Sequence, residues 1–179
     1  MNRRNEAIDA YGRVIVLQPD NADARLNRAI LLCERGDLSR AYAEIEQAIQ
    51  TQPNDARILC TLGLIGIRMG DYDAACDAFA RSIAADPALA DPWANRATIA
   101  FKRGDISSAI DDLTRALALR EDAAILCNRA KVFEAKRQWQ KAADDYARAR
   151  TLAGANTEAI DRRYQRCIDA LGGTKSRRR

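Results

Sequence analysis

Apolar side chains recur every three or four residues along most of the chain, which predicts a succession of amphipathic α-helices. Residues 56–69 and 72–85 show this pattern. Between them, Gly70 supplies the left-handed backbone that ends many helices, and Asp71 offers a side-chain oxygen to the first free amides of the next helix. Pro87 stops the second helix, because proline has no amide hydrogen to donate. The segment therefore predicts a helical hairpin.

The hairpin signals recur every 34 residues. Proline, glycine, aspartate and alanine all keep this period, although the last alanine follows after 33 residues. So regular a spacing indicates a tandem repeat. The positions are Pro19, Pro53 and Pro87; Gly36, Gly70 and Gly104; Asp37, Asp71 and Asp105; and Ala7, Ala41, Ala75, Ala109 and Ala142.

Small and large apolar residues also occupy fixed positions of the repeat. A single hairpin would leave its apolar face uncovered, so we expect consecutive hairpins to stack with small residues facing large ones. The small residues of the first helix are Ala29, Gly63, Ala97 and Ala130. The large residues beside them are Tyr11, Ile45, Phe79, Leu113 and Tyr146.

These positions resemble the tetratricopeptide repeat family. Its motif is matched by Leu62-Gly63, Ala75, Phe79 and Pro87 in one repeat and by Trp93, Ala97, Ala109 and Ala116 in the next. The resemblance implies an all-α fold, a right-handed superhelical α-solenoid of antiparallel helix hairpins. The expected divisions of this single array are a half unit at 1–21, units at 22–55, 56–89, 90–122 and 123–156, a capping helix at 157–171 and a flexible basic tail at 172–179.

Several positions at the ends and in the last units depart from this regularity. Glu121 stands where the motif has proline, and Arg137 stands where it has glycine. Gly172-Gly173 is expected to end the capping helix. The first helix, at about residues 3–17, is expected to leave part of its apolar side uncovered, and self-association through it is one hypothesis. The apolar residues concerned are Ala7, Ile8, Tyr11 and Val14.

Composition supports a folded protein with no overall basic bias. Hydrophobic residues make up 47% and charged residues 30% of the chain. The net charge is +4, which the C-terminal residues account for by themselves: Lys175, Arg177, Arg178 and Arg179. There is thus no strong case for nucleic acid as a partner. No apolar run is long enough for a membrane span, and residues 1–12 lack the apolar core of a secretory signal, so a cytoplasmic location is expected.

The residues that enzymes and metal sites use are sparse. Histidine is absent, and no glycine-rich phosphate loop occurs. The five cysteines are widely spaced, which predicts reduced, packed thiols and neither a metal nor a cofactor. Asp111-Asp112 and Asp144-Asp145 are paired carboxylates, and both pairs are expected to be solvated on the outward part of a helix. The sequence therefore favours a non-catalytic protein.

The resemblance also implies a binding groove along the first helices of the hairpins. The sixth position of those helices faces the groove in the family, and this series looks like the asparagine ladder in the repeat domain of O-linked N-acetylglucosamine transferases. Here the series is Asn27, Thr61, Asn95 and Asn128. Asparagine can bind a peptide backbone through both a donor and an acceptor; local capping is the alternative. Other expected groove residues are Arg57, Cys60, Leu64, Arg68, Thr98, Phe101, Lys102, Cys127 and Lys131.

The groove residues have a mild positive bias, which Glu34 and Glu134 oppose near the edges. This charge indicates a protein or peptide ligand that is acidic or ends in a carboxylate. The family's dicarboxylate clamp for chaperone tails is incomplete, so that partner is not predicted. Arg28, Arg96 and Arg129 follow the asparagines and are expected to run along the helix seam with their charged ends outward. Two alternatives to a scaffold remain open: a repeat segment of a larger protein or enzyme, and an adaptor that binds nucleic acid or a membrane surface through the arginine tail.

Overall fold

A computed structural model describes residues 2–154 and 157–176, and within these ranges it contains ten α-helices and no strand. The all-α prediction is confirmed. No helix in the described part of the chain is both long and apolar enough to cross a bilayer. The helices are α1 (Asn2–Leu17), α2 (Ala22–Arg35), α3 (Leu38–Thr51), α4 (Ala56–Met69), α5 (Tyr72–Ala85), α6 (Ala90–Lys102), α7 (Ile106–Leu119), α8 (Ala123–Ala135), α9 (Trp139–Ala153) and α10 (Glu158–Ser176).

Helices α2, α4, α6 and α8, called the A helices below, each pair with the following B helix, namely α3, α5, α7 and α9. The ends of α4 and α5 fall where the sequence predicts them. Gly70 ends α4 with a φ of 83°, and the side chain of Asp71 accepts a hydrogen bond from the amide of Ala74 at 3.0 Å. Local chemistry therefore sets the hairpin turn, as expected from the sequence.

The chain forms two compact units, residues 1–92 and residues 93–179. In unit 1, buried side chains of α1 to α4 make one apolar core that includes Ile8, Leu32 and Ile45. In unit 2, one core lies among α6, α7 and α8, and another lies among α8, α9 and α10. Each hairpin therefore buries its apolar faces with the help of its neighbours within a unit.

The expected match of a small A-helix residue to a large B-helix residue is tightest at Gly63. A Cβ atom at this position would lie 2.5 Å from a ring carbon of Phe79, whose side chain is fully buried. Only glycine leaves room for the ring at this separation.

Arg137 occupies the turn position that glycine occupies in the preceding hairpins. Its φ is 56°, against 92° at Gly36 and 81° at Gly104. The amides of Arg137 and Gln138 donate to the carbonyls of Glu134 and Phe133 at 2.9 Å each, so the turn has the same hydrogen bonds as its glycine counterparts. The turn thus keeps its left-handed backbone although arginine replaces the glycine of the motif. Arg137 is therefore in a strained backbone conformation, because its Cβ is crowded there.

Replacing this residue in an Arg137→Gly variant is expected to stabilise unit 2 by about 1 kcal/mol, because glycine adopts the left-handed conformation without the Cβ clash. Urea unfolding followed by tryptophan fluorescence measures the change. An Arg137→Ala control, which keeps the Cβ, should give no such gain. A glycine variant no more stable than the alanine variant would show that the turn carries no strain.

The structure corrects the expected end of the last helix and part of the expectation for the first helix. Helix α10 does not end at Gly172 but continues to Ser176, because Gly172 keeps helical backbone angles in place of the left-handed turn that would end the helix. The flexible tail therefore does not begin at residue 172, and residues 177–179 lie outside the described residues. At the other end, Ile8 is only 2% exposed because it packs into the core of unit 1. Val14, another residue of the expected set, is exposed, and so are Val16 and Leu17 of the same helix.

Candidate functional site

The A helices of unit 1 carry part of the predicted groove set on an open face. Asn27, Leu64 and Arg68 are exposed there. Thr61, in contrast, is not accessible to a ligand. Its side chain is 6% exposed, and its hydroxyl donates to the carbonyl of Arg57 at 2.9 Å. The polar ladder is therefore interrupted at α4 by burial as well as by residue type.

A further apolar residue of this face is absent from the sequence-based set. Ile30 is 38% exposed, as is Leu64, which stands at the same position of the next repeat. Ile30 lies 34 residues before Leu64, and this repeat spacing could have identified it as a groove residue. Its helix is rich in apolar side chains, however, so the sequence is equally consistent with a core position for Ile30.

Arg57 contributes less positive charge to unit 1 than its sequence position indicates. Its guanidinium donates to Asp23 at 2.8 Å and to Asp55 at 2.7 Å. These hydrogen bonds, that to Asp55 first, raise the pKa of Arg57 above its usual value. Two carboxylates therefore balance the single positive charge of Arg57. The other cation predicted for the groove in unit 1, Arg68, has no ion pair within the described residues.

In unit 2, the A helices place the predicted polar residues on α6 and α8. Asn95 and Asn128 are half-buried, and Thr98 is exposed with its hydroxyl donating to the carbonyl of Ala94 at 3.1 Å. The amine of Lys131 donates to the side-chain oxygen of Asn128 at 3.2 Å. Lys102 lies exposed at the end of α6. The structure therefore couples Asn128 to Lys131 and leaves the side chain of Asn95 without an intramolecular hydrogen bond within the described residues.

Helices α6, α8 and α10 and the start of α9 line a cavity of about 330 Å³ in unit 2. Phe101 and Lys131, both predicted groove residues, meet there. Glu134, expected from the sequence near the edge of the groove, also lines the cavity. The other lining residues were not identified from the sequence, which predicts a solvent-facing cap for the segment that forms α10. These residues are Ala135, Trp139, Arg163 and Arg166.

The arginines that follow the ladder positions run along the helix seam, but their charged ends are paired. Arg129 donates through two nitrogens to both carboxylate oxygens of Asp145 at 2.8 Å each, and Arg96 pairs with Asp112 in the same geometry. Arg28 donates to Glu44 at 2.8 Å. Each pair joins an A helix to its B helix, so these residues act in hairpin packing.

These pairs correct the expectation for the double aspartates. Asp112 is 7% exposed and Asp145 is 3% exposed, whereas Asp111 and Asp144 are exposed as predicted. The sequence did not indicate the burial, because each buried aspartate lies on the edge of its helix's apolar face and is covered only when the arginine of the partner helix reaches it.

Two of the predicted groove residues are cysteines, and the structure turns both toward packed surroundings. Burial raises the pKa of the Cys60 thiol to about 12 and also raises that of Cys127. Burial raises the pKa of Cys167 to about 11 as well. Thiolates are therefore scarce near neutral pH, as expected for packing residues.

Comparison with solved structures shows the same fold in proteins of low sequence identity. A thermophilic TPR protein of Thermus thermophilus is 17% identical, with 93% of this chain and 91% of that chain covered at a TM-score of 0.79. The MamA protein is 19% identical, with coverages of 84% and 82% and a TM-score of 0.69. A chain of the APC/C hetero-tetramer Cut9-Hcn1 is 19% identical, with 93% of this chain and 34% of that chain covered at a TM-score of 0.84.

Family models described as tetratricopeptide repeat match residues 1–60, 56–89 and 94–160. These ranges include the hairpins from α2 to α9 except for residues 90–93, the first four residues of α6. Repeat spacing, helix boundaries and sequence matches agree, and the chain belongs to the tetratricopeptide repeat family, whose members are generally non-catalytic scaffolds for protein–protein interaction.

Proposed function

We propose that this chain is a non-catalytic scaffold that binds a peptide or a partner helix on the A-helix faces of its two units. One observation carries the proposal. The side-chain amides of Asn27 and Asn95, at the same position of different repeats, have no intramolecular hydrogen bond within the described residues. An asparagine with a free donor and a free acceptor matches the two groups of a peptide bond.

The side chains around these asparagines suit a polypeptide ligand. Ile30 and Leu64 offer apolar surface in unit 1, and Phe101 offers it in unit 2. Lys131, whose polar contact is with the neutral side chain of Asn128, biases unit 2 toward an acidic segment. The Cut9-Hcn1 hetero-tetramer, in which a chain of similar fold assembles with a second protein, supports a protein partner here.

The chemistry of the remaining polar groups supports the non-catalytic part of the proposal. The cysteines with raised pKa values are poor nucleophiles at neutral pH, and the buried aspartates are held by arginines. The carboxylate beside Cys167 belongs to Glu134, and its negative charge adds to the rise in the pKa of that thiol, so it disfavours the thiolate.

The proposal predicts that an Asn95→Ala, Asn128→Ala variant binds its partner about tenfold more weakly, because two hydrogen bonds of about 0.5–1.5 kcal/mol each are removed. The partner is identified by affinity purification and mass spectrometry, and its affinity is then measured by isothermal titration calorimetry. Asn54→Ala, in the exposed turn before α4, serves as the control and should leave the affinity unchanged.

Far-UV circular dichroism of the double variant should match that of the wild type, since both asparagines lie outside the apolar cores. Equal affinities of the wild type and a folded double variant would contradict backbone binding by these asparagines.

A further inference from the structure

The cavity lined by α6, α8 and α10 brings positive charge and aromatic surface to one place in unit 2. Its volume of about 330 Å³ is at the lower end of the range for ligand-binding pockets, about 300–1,000 Å³. A space of this size suits a short side-chain cluster of a partner and is too small for a whole helix, whose diameter is about 10–12 Å.

The charge of the cavity is positive after its internal pairing is counted. Arg163 donates to Glu134 at 2.7 Å, and the thiol of Cys167 lies 3.6 Å from the other oxygen of the same carboxylate. The Glu134 side chain is mostly buried, so its charge is held by Arg163 at the cavity wall. One of the three positive side chains is thereby balanced by the single negative one.

Lys131 and Arg166 remain without a carboxylate partner in the described part of the chain. The one polar contact of Lys131 there is with the neutral side chain of Asn128 at 3.2 Å. Arg166 is exposed and faces the same cavity. Two unpaired positive charges beside a partly enclosed space favour an anionic group of a ligand.

The apolar part of the lining lies beside these charges. Phe101 and Trp139 are each half-buried, the first packed against the core of α6–α8 and the second against the core of α8–α10. Both side chains are therefore fixed by packing while part of each ring lines the cavity. Fixed aromatic surface binds an apolar side chain with little loss of conformational freedom.

We infer that this cavity is an anchor pocket for a partner polypeptide segment in which an aspartate or glutamate stands next to an apolar side chain. The carboxylate pairs with Lys131 and Arg166, and the apolar side chain lies against Phe101 and Trp139. The inference rests on the proposed scaffold function and adds to it the chemistry of the segment that is bound. Both groups come from adjacent residues because the cations and the rings line one small space.

Selection from a random peptide library displayed on phage tests this inference. The library is selected on the wild type, on Arg166→Glu and on Arg115→Glu. Arg115 is an exposed arginine of α7 that lines no part of the cavity, so its reversal is a matched control for charge. The wild type and the control are expected to enrich peptides with an acidic residue next to an apolar one, and Arg166→Glu is expected to lose this enrichment.

Synthetic peptides from the selection then locate the binding. In a Trp93→Phe background Trp139 is the remaining tryptophan, so its emission should change when an enriched peptide binds. The affinity should fall about tenfold or more in Arg166→Glu, because the new glutamate repels the carboxylate of the peptide. It should stay within about twofold in Arg115→Glu.

The outcomes separate this inference from the scaffold function. Enriched peptides without an acidic bias, or binding that leaves Trp139 and Arg166→Glu unaffected, would overturn the anchor pocket and leave the scaffold function standing. Failure of the wild type to enrich any peptide would count against both. Sensitivity to Asn95→Ala, Asn128→Ala without sensitivity to Arg166→Glu would place the ligand on the A-helix face but outside the pocket, which also overturns the anchor pocket.

Discussion

Replacing Arg129 with leucine is expected to lower the free energy of unfolding of unit 2 by roughly 3–5 kcal/mol. The substitution removes both hydrogen bonds to Asp145 and leaves a buried carboxylate without its counter-charge. Asp145 is among the most buried charged residues of the chain, so water does not replace the lost partner unless the hairpin opens. Both tryptophans of the chain, Trp93 and Trp139, lie in unit 2, and their fluorescence during urea unfolding measures this loss.

The chain contains its own control for this pair. Sixteen residues separate Arg129 from Asp145, and the same separation in the α4–α5 hairpin joins Leu62 to Ala78, two apolar residues at equivalent positions. The double variant Arg129→Leu, Asp145→Ala copies that hairpin and should recover most of the stability, because no buried charge then remains. A double variant as unstable as Arg129→Leu alone would show that the stability depends on packing by the arginine stem and not on charge pairing.

The Gly63→Ala substitution is expected to destabilise unit 1 by roughly 2 kcal/mol, although alanine favours a helix over glycine by about 1 kcal/mol. The added Cβ would lie 2.5 Å from one ring carbon of Phe79 and 2.7 Å from two others. Because the ring is fully buried, it can move away from the added Cβ only if the side chains packed around it shift as well. The overpacking therefore outweighs the gain in helix propensity, and circular dichroism with native-state hydrogen exchange in α4 and α5 measures the net effect.

A smaller opposing side chain should reverse the sign of this effect. Ala97 and Leu113 hold the same two positions in the next repeat, so Gly63→Ala in a Phe79→Leu background copies a pair that the chain already contains. In that background the alanine is expected to stabilise unit 1 by up to about 1 kcal/mol, since only the helix propensity remains. The same loss of stability in both backgrounds would contradict a clash with the ring.

Only those residues of the candidate site whose place follows from their position in the repeat could be predicted from the sequence. The series at Asn27, Asn95 and Asn128 follows from spacing, and their surroundings fit the prediction of a binding face, which remains a proposal. Spacing did not reveal that Asp23 pairs with Arg57, because that contact joins α2 to α4, and it did not weigh the local pair that Arg57 forms with Asp55, the N-cap of its own helix. The cavity residues of α10 were missed because their helix follows no motif position and its many polar residues favour solvent exposure.

The sequence by itself determined the hairpin helices, the turn between α4 and α5 and the match of small to large residues, because these depend on backbone angles and side-chain volume within one hairpin. Gly70, Asp71 and Gly63 act through neighbours that the repeat places at fixed separations. Only the tertiary structure decided which charges are buried, paired or free. A carboxylate such as Asp145 has the same sequence character whether solvated or enclosed, and the difference arises when the packed partner helix excludes water and brings an arginine to it.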